Sequence, residues 1–190
     1  LQELPSELRE DLLYEARVPT LRAKQIFSDM AVTNSRALRR VCATAISVVT
    51  AVCTEVIFET GDACSRMLFP TSGAFLYKCT GREDEVLGKR AALCEAVLWT
   101  NWEHRGKLEA TEESMLLALD GIGFGDVMVQ YRSAHIHAAK YARRFIWHLN
   151  NLVFVASEAM CTVESLPLTT SSIRQSNEDA MPVGARSTDR

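Results

Sequence analysis

An acid and an arginine, Glu95 and Arg105, lie in a stretch of the chain, residues 93–110, in which polar side chains interrupt an apolar pattern. A guanidinium group matches the geometry of a phosphate anion, and a buried carboxylate suits a sugar hydroxyl. The two residue types therefore fit a site that binds an anion beside a hydroxyl group. Trp99 and Trp102 lie between them and add bulk that is able to fill such a site.

Other residues that could do chemistry form weaker patterns. His135 and His137 are two residues apart and point to different faces of a helix, and no cysteine or carboxylate completes a zinc set at the usual spacings. We therefore predict no metal site. His104 follows Glu103 directly, but adjacent residues rarely converge on one substrate atom. Because the chain also has no phosphate-binding loop, nucleophile elbow or H-E-x-x-H motif, we predict no catalytic residues and no enzyme.

Three glycines after the last predicted strand, Gly121, Gly123 and Gly125, have the spacing G-x-G-x-G. A dinucleotide-binding fingerprint needs a different spacing and a surrounding βαβ unit. We therefore predict a flexible turn at this position.

The composition is that of one soluble globular domain with an appendage. Of 190 residues, 47% are hydrophobic and 24% are charged, which is enough to bury a sizeable core. The formal net charge of −3 gives no general footprint for nucleic acid. The longest apolar stretch, residues 43–58, is interrupted by polar side chains and falls short of the roughly 20 apolar residues of a membrane-spanning helix.

The cysteines indicate a reducing environment. They are well separated and form neither a C-x-x-C motif nor a dense disulfide pattern, which favours buried reduced thiols in a cytosolic protein; they are Cys42, Cys53, Cys64, Cys79, Cys94 and Cys161. The first residue is Leu1 and no signal segment follows it, so we expect a piece of a longer polypeptide.

The first part of the chain has helical patterns. Residues 4–30 predict two short amphipathic helices, the first with a leucine face that includes Leu12 and the second beginning at Pro19. A third helix is predicted over residues 35–45, capped at Asn34 or the next residue. The first two helices cannot bury their apolar faces alone, so we expect them to pack on the following domain or on another chain.

From residue 47 the period changes to that of short strands. Runs rich in β-branched and aromatic residues alternate with turn signals, which predicts an antiparallel roll, sandwich or barrel. The third and fourth strands, joined by Thr71-Ser72-Gly73, are predicted to pair as a hairpin, and a helix over residues 96–101 interrupts the set. The predicted strands are residues 48–52, 55–58, 67–69, 74–79, 85–87, 107–111 and 115–119.

After Asp120 the pattern is helical again, with a short helix near residues 125–131 and a longer one over about residues 134–155. The longer helix repeats apolar residues at alternating spacings of four and three, so one of its faces must cover another part of the fold. From Thr162 the chain is rich in Ser, Thr and Asn and contains two prolines, which predicts a disordered tail.

The order of these elements, together with several short motifs, resembles the C-linker and cyclic-nucleotide-binding domain, or cyclic-nucleotide-binding homology domain, of voltage-gated and cyclic-nucleotide-gated potassium channels. The linker resemblance lies in LPSELREDLLYEARVPTLRAKQIF, and RALRRVC then leads into EVIFETGD. MLFPTSG stands in the place of the family's M-Y-F-V-x-x-G, and VLGKRAALCEAVLW in the place of V-x-x-G-x-x-F-G-E-x-x-L. The match covers about residues 4–152 and depends on the order and spacing of the motifs.

The resemblance implies a fold class and a domain division. The fold is expected to be α+β, an antiparallel, jelly-roll-like β-roll with flanking helices, N-terminal linker helices and C-terminal closing helices. Residues 1–34 are expected to form C-linker-like helices, residues 35–156 the cyclic-nucleotide-binding-like domain, and residues 157–190 the tail.

The resemblance also implies a ligand site in the family's phosphate-binding cassette, which corresponds to residues 93–110. In the family's binding members a cassette glutamate accepts a hydrogen bond from the ribose hydroxyl and an arginine pairs with the cyclic phosphate, and Glu95 and Arg105 match these by position. The family's Phe-Gly before the glutamate is Leu93-Cys94 here, and its Pro-Arg-Ala is His104-Arg105-Gly106. The residues expected to contact cAMP or cGMP are Leu93, Cys94, Glu95, Arg105 and Gly106.

Two interpretations of the cassette are open on the sequence. In one, the domain binds cAMP or cGMP and no further cofactor. In the other, Glu95 and Arg105 form a salt bridge while the pocket stays empty or is filled by a side chain or the tail. The second is favoured by the two tryptophans and by Cys94, whose Cβ stands where glycine lets the backbone approach a phosphate.

As a whole, the resemblance implies a cytoplasmic regulatory domain of a voltage-gated or cyclic-nucleotide-gated potassium channel, which couples a cyclic nucleotide or intrinsic pocket occupancy to pore gating. Its partners would be the channel's transmembrane region and, through the linker helices, the other subunits of a homotetramer; no nucleic acid is expected. The alternative is a soluble cyclic-nucleotide receptor such as a kinase regulatory module. A transcription regulator would need a helix-turn-helix after the closing helix, and the tail from Thr162 does not supply one.

Overall fold

The computed structural model describes residues 5–155 of the 190-residue chain, and of residues 152–155 it describes the backbone alone. Along this part of the chain, three helices are followed by a set of short strands and then by two more helices. This arrangement confirms the predicted α+β class with flanking helices. The predicted tail, residues 157–190, lies outside the described residues.

Three helices precede the sheets: α1 (Ser6–Leu21), α2 (Gln25–Thr33) and α3 (Ser35–Thr44). Asn34 occupies the N-cap position of α3, as predicted. The predicted start of a helix at Pro19 is wrong, because α1 passes through Pro19 and ends two residues later. Val18 and Leu21 are buried on either side of the proline, so the packing of this turn outweighs the backbone hydrogen bond that the proline removes.

The strands of the described residues pair antiparallel throughout and form three sheets, with the orders β1-β9-β4, β2-β8-β5-β6 and β3-β7. The two larger sheets enclose a common apolar core, which makes the structure the roll that the sequence predicts. The strands are β1 (Ile46–Ala51), β2 (Val56–Phe58), β3 (Ala63–Cys64), β4 (Arg66–Ser72), β5 (Phe75–Lys78), β6 (Glu85–Leu87), β7 (Trp102–Glu103), β8 (Lys107–Ala110) and β9 (Ser114–Asp120).

The central strand β9 separates two cores. Leu116 and Ala118 point into the roll, where they meet residues of the four-stranded sheet. Leu117 and Leu119 point to the other face, where they join a larger cluster made mainly of helical residues. The alternation of side chains along a strand therefore places the helices on one face of this sheet and the rest of the roll on the other.

The predicted hairpin of the third and fourth strands is wrong. Strand β4 pairs with β9, with Phe69 opposite Leu117, whereas β5 pairs with β6 and β8 of the other large sheet. The turn between β4 and β5, with Gly73 at φ 77°, therefore carries the chain from one sheet to the other. Pro70 lies inside β4 rather than at its end, and β4 is an edge strand, where the missing amide proton is tolerated.

Two helices follow the last strand: α4 (Gly121–Gln130) and α5 (Arg132–Val155). The predicted flexible turn at the three glycines is wrong, because Gly121, Gly123 and Gly125 all lie in α4. The carboxylate of Asp120 caps the helix by accepting a hydrogen bond from the amide of Gly123 at 2.6 Å. No helix in residues 5–155 has the length and apolarity needed to cross a membrane.

Candidate functional site

The cassette begins where an extended segment turns into a short 3-10 helix, Glu95–Leu98, in place of the helix predicted over residues 96–101. Leu93 is fully buried and exchanges two backbone hydrogen bonds with Leu68 of β4, with N···O distances of 2.9 and 3.1 Å. Cys94 then adopts φ 63° and ψ 29°, the left-handed conformation, and the helix starts at the next residue. This conformation suits glycine, and any other residue there costs roughly 1–2 kcal/mol. The backbone thus keeps a glycine conformation although the residue is cysteine.

Glu95 is buried, with 1% of its surface exposed, and its carboxylate meets two other elements. The hydroxyl of Tyr141, on α5, donates a hydrogen bond of 2.8 Å to one oxygen. The ammonium group of Lys24, in the connection between α1 and α2, lies 3.0 Å from the other oxygen. Burial and the charge of Glu95 raise the pKa of Tyr141, so this hydroxyl keeps its proton and remains a donor. Glu95 therefore joins the cassette to both α5 and the α1–α2 connection.

Arg105 lies apart from this carboxylate. It is exposed in the turn between β7 and β8, and its guanidinium carbon is 5.2 Å from the centre of the Trp102 ring, in a cation–π contact. The predicted salt bridge between Glu95 and Arg105 is wrong, since Lys24 supplies the positive charge beside Glu95. The physical reason is that the turn directs Arg105 to the surface while the 3-10 helix directs Glu95 into the core.

A cavity of about 420 Å³ lies beside Arg105. Its walls include Cys64 and Trp102 and, from α5, Leu149, whereas Glu95 is not among the described residues that line it. The two groups that the family resemblance assigns to ribose and phosphate are therefore divided between the core and an open cavity.

Gly106 has a packing role. A Cβ atom at this position would lie 2.5 Å from the carbonyl oxygen of Lys78 and 2.6 Å from the ring of Tyr77, both on β5. Only glycine fits this approach of the cassette to the neighbouring strand. Of the five residues predicted to contact a nucleotide, Leu93, Glu95 and Gly106 are thus occupied by contacts within the protein.

A group of metal-binding residue types, which the sequence did not predict, lies where β3 meets the cassette. One sulfur atom each from Cys64 and Cys94 and a ring nitrogen of His104 all lie within 4.8 Å of one another. Cys94 Sγ is 3.6 Å from His104 Nδ1. Cys94 and His104 are buried, and Cys64 is partly buried beside the cavity. The three atoms form what we call the Cys64–Cys94–His104 cluster.

Strand pairing and the left-handed turn bring the cluster together. Cys64 of β3 lies opposite Trp102 of β7, and the amide of His104 continues this pairing with a hydrogen bond of 2.9 Å to the carbonyl of Asp62. Side chains alternate along a strand, so His104 and Cys64 share a face. The turn at Cys94 then presents its thiol to them. The cluster has no zinc-type sequence spacing, and only the position of Cys94 at the family's glycine could have drawn attention to it.

The cluster changes the acidity of one thiol. A hydrogen bond with Cys94 makes the largest contribution in lowering the pKa of Cys64 from its ordinary value of 9.0 to about 5. Desolvation opposes the effect, and a hydrogen bond and the charge of His104 add to it. The lowered pKa favours the thiolate form of Cys64.

The two tryptophans have different surroundings. Trp99 packs against Phe124 at a ring-centre distance of 5.7 Å and against Tyr141 at 5.5 Å, and so belongs to the helical core. Its indole nitrogen is buried and finds no hydrogen-bond partner within the described part of the chain. Trp102 is half-buried and forms part of the cavity wall below Arg105.

Comparison with known proteins gives matches among solved structures. No protein-family model matches the chain, and no curated protein sequence does. The C-linker/CNBHD of zELK channels, crystallized in the presence of cAMP, is similar with a TM-score of 0.57 and 18% identity, over 75% of this chain and 71% of that one. The N-terminal domain of a transcriptional regulator from Streptomyces coelicolor A3(2) is similar with a TM-score of 0.57 and 21% identity, over 73% and 98% of the two chains. The sensor domain of the transcriptional regulator DNR from Pseudomonas aeruginosa gives a TM-score of 0.57 and 13% identity, over 76% and 95%.

These similarities confirm the predicted fold. The roll with its flanking helices is the fold of a cyclic-nucleotide-binding homology domain of a channel, and transcriptional regulators contain it as well. Proteins with different functions therefore share this fold, and the function of this chain must be argued from its own residues.

Proposed function

We propose that the chain is a regulatory domain of a potassium-type ion channel, in which the cassette connects the closing helix to the linker helices without binding a cyclic nucleotide. The observation that carries the proposal is the set of contacts at Glu95, which meets Tyr141 of α5 and Lys24 of the α1–α2 connection. The order of the sequence motifs supports the placement in a channel. The domain would lie on the cytoplasmic side of the membrane and assemble as a homotetramer through the linker helices.

The Glu95 contacts can transmit a change because they are buried. A hydrogen bond to a charged group contributes roughly 1.5–3 kcal/mol, and a buried ion pair loses still more when one partner leaves. Movement of α5 that withdraws the hydroxyl of Tyr141 therefore removes one of the two contacts that hold the Glu95 carboxylate in position beside Lys24. Coupling free energies of this size, about 1–3 kcal/mol, are those of typical allosteric proteins.

The same contacts argue against a nucleotide in the cassette. A ribose hydroxyl would have to displace Tyr141 or Lys24 from a carboxylate that is buried and already paired with both groups, although the oxygen beside Lys24 has no well-aligned hydrogen bond within residues 5–155. Such a displacement exchanges one hydrogen bond for another and leaves the displaced group without its partner, which costs about 1–3 kcal/mol.

Calorimetry tests the ligand-free form of the proposal. Titration of cAMP and of cGMP into the purified chain is expected to give no binding heat, whereas an established cyclic-nucleotide-binding domain in the same buffer does. The cavity beside Arg105 offers room for a ligand, which the second candidate, a soluble cyclic-nucleotide receptor, requires. Binding that is lost in Arg105→Glu would support that candidate and overturn the ligand-free form.

Hydrogen exchange tests the connection through Glu95. Tyr141→Phe removes one hydroxyl and is expected to raise exchange several-fold at the amides of Ala23 and Lys24, which bond to Thr20 and Leu21 in the α1–α2 connection. Tyr131→Phe, the same change at a partly buried tyrosine of the same core, is the matched control and is expected to leave these amides unchanged. Equal exchange in both variants would show that Glu95 transmits nothing.

Electrical recording tests the placement in a channel. In the full-length protein, Tyr141→Phe is expected to shift the voltage of half-activation, and cAMP applied to the cytoplasmic side is expected to leave it unchanged. Absence of any ion conductance from the full-length protein would overturn the channel assignment while leaving the contacts at Glu95 intact.

A further inference from the structure

We propose that the Cys64–Cys94–His104 cluster binds a divalent transition metal ion of the Zn²⁺ type, with a water molecule as the fourth ligand. The inference goes beyond the regulatory role proposed above and does not rest on it. The site would lie where β3 meets the cassette, with Cys94 next to Glu95 and His104 next to Arg105 in the chain.

The ligand set and its dimensions fit this ion. Thiolate sulfur and imidazole nitrogen are the ligands that Zn²⁺ prefers, and three protein ligands with an open fourth position are an established arrangement. Zinc–ligand distances of about 2.3 Å for sulfur and 2.0 Å for nitrogen place the sulfur and nitrogen atoms of a tetrahedral site roughly 3.5 Å apart. Cys94 Sγ and His104 Nδ1 are 3.6 Å apart, and the most distant pair in the cluster is within 4.8 Å. A contraction of about 1 Å therefore completes the site.

The charges balance when the ion is bound. Two thiolates and a neutral imidazole cancel the charge of one divalent cation, so the buried group as a whole carries no net charge. This matters because Cys94 and His104 are buried, and an uncompensated charge there would be costly. Each thiol that is protonated beforehand releases its proton to solvent as the metal–sulfur bond forms.

Two of the ligands are held in place before any metal arrives. The ring of His104 stacks on Phe58, with the ring centres 3.7 Å apart and the planes within 9° of parallel. Cys94 holds its thiol in the cluster by means of a left-handed backbone that costs roughly 1–2 kcal/mol in a residue other than glycine. Rigid ligands raise affinity because little ordering is needed on binding.

The fourth position opens toward solvent. Cys64 forms part of the wall of the cavity of about 420 Å³, which has room for a water molecule on the metal. Arg105 lines the same cavity.

Cobalt(II) is the first probe, because its absorption reports both thiolate ligation and tetrahedral geometry. The full chain, reduced and stripped with a chelator, is expected to bind one Co²⁺ with thiolate-to-metal charge-transfer absorption, and added Zn²⁺ is expected to displace it. Cys64→Ser should weaken binding by more than the roughly 10–100-fold that loss of an outer-shell partner causes. Cys53→Ser, the same change at a free exposed cysteine outside the cluster, should leave binding unchanged. Unaltered cobalt binding in Cys64→Ser would overturn the proposal.

Alkylation of the unaltered protein gives a second measurement that needs no variant to fold. Zn²⁺ alone is expected to protect the partly buried Cys64 from iodoacetamide and to leave the exposed Cys53 reactive, as measured by peptide mass spectrometry. Equal reactivity of Cys64 with and without saturating Zn²⁺ would overturn the site. Formation of a Cys64–Cys94 disulfide by the stripped protein, with no metal uptake after reduction, would overturn it as well. Neither result depends on the nucleotide calorimetry, so the two proposals fail independently.

Discussion

The residue Cys94 combines a left-handed backbone with complete burial of its side chain. At an ordinary core position, a larger apolar side chain makes the protein more stable than a smaller one does, because it buries more surface. At a positive φ this order is opposed by the steric cost that every residue except glycine meets. The relative size of these two effects is open to a direct test.

Cys94→Gly is expected to be more stable than Cys94→Ala by roughly 1 kcal/mol, although alanine fills more of the core. Both variants lose the thiol, so their difference isolates the backbone. Urea denaturation of the metal-free variants measures it. A more stable alanine variant would show that packing around the Cβ outweighs the strain.

Cys64 gives a prediction about pH. Because its pKa is lowered to about 5, the thiolate persists as the pH falls from neutrality and is lost only near that value. In the metal-free protein, the alkylation rate of Cys64 is expected to level off above about pH 6 instead of rising up to pH 9, as it does for an ordinary thiol. Mass spectrometry after short pulses of iodoacetamide measures the rate.

Cys94→Ala is the control for this pH profile, because it removes the largest cause of the lowered pKa. The midpoint of the rate profile should then move to higher pH. A rate for the unaltered protein that still rises through pH 8 would contradict the prediction.

How much of the site was visible in the sequence differs from residue to residue. Glu95 and Arg105 could be found by position, because family motifs surround them. The partners of Glu95 could not, because Tyr141 is 46 residues further along the chain and Lys24 lies much earlier, in the connection between α1 and α2. The cluster was missed for the same reason: its ligands are brought together by strand pairing and by one turn, and neither leaves a recognisable spacing.

At the scale of helices and strands, the predictions succeeded where hydrophobic periodicity decides the structure. The strand over residues 115–119 and the cap of α3 were predicted from the local sequence. The predictions were wrong where proline or glycine, which locally favour helix ends and turns, lies inside a helix that tertiary packing or capping stabilises. Pro19 lies within α1, and Gly121, Gly123 and Gly125 lie within α4, because buried neighbours or the cap at Asp120 stabilise the helix. The pairing of β4 depends on β9, which is distant in sequence, so local signals could not reveal it.

Lys24 is where the linker helices meet the cassette, and its removal tests how strongly these elements are joined. Lys24→Met is expected to reduce the free energy of unfolding by about 3–5 kcal/mol, because it leaves the buried carboxylate of Glu95 without its positive partner. Urea denaturation measures the change. Arg22→Met, two residues earlier and exposed, is the matched control and should change stability by less than about 0.5 kcal/mol.

The double variant Lys24→Met with Glu95→Gln separates charge from packing. Because it removes the uncompensated charge, it should recover part of the stability that Lys24→Met loses. If the double variant is no more stable than the single one, the ion pair is not the reason for the loss.

At the scale of the whole molecule, the linker helices and the roll share one apolar core. This apolar core lies on the helical face of the β1-β9-β4 sheet. It contains Leu21 of α1, Phe27 of α2 and Phe145 of α5 together with Phe69 of β4. Phe27 makes edge-on contacts with both Phe69 and Phe124, at ring-centre distances of 6.0 and 6.1 Å. The division at residue 34, which the family resemblance implies, therefore crosses a continuous core.

A continuous core predicts one cooperative unfolding transition. Far-UV circular dichroism reports mainly the five α-helices of residues 5–155. In a variant whose Trp102 and Trp147 are replaced by phenylalanine, the fluorescence of the partly buried Trp99 reports the cassette. The two signals are expected to change at the same urea concentration, because neither part can lose its packing without exposing the other. Separate midpoints would instead support two independent units divided at residue 34.

Leucine substitutions on α1 sharpen this test, because the helix presents one leucine to the core and another to solvent. Leu21 is fully buried and Leu12 is 46% exposed. Leu21→Ala is expected to reduce the free energy of unfolding by about 2–5 kcal/mol and to lower the urea midpoints of both signals together. Leu12→Ala should leave both midpoints nearly unchanged. If Leu21→Ala lowers only the midpoint of the dichroism signal, α1 unfolds by itself. If it lowers the midpoint of the Trp99 fluorescence equally, a change in α1 reaches the cassette through packing as well as through Lys24.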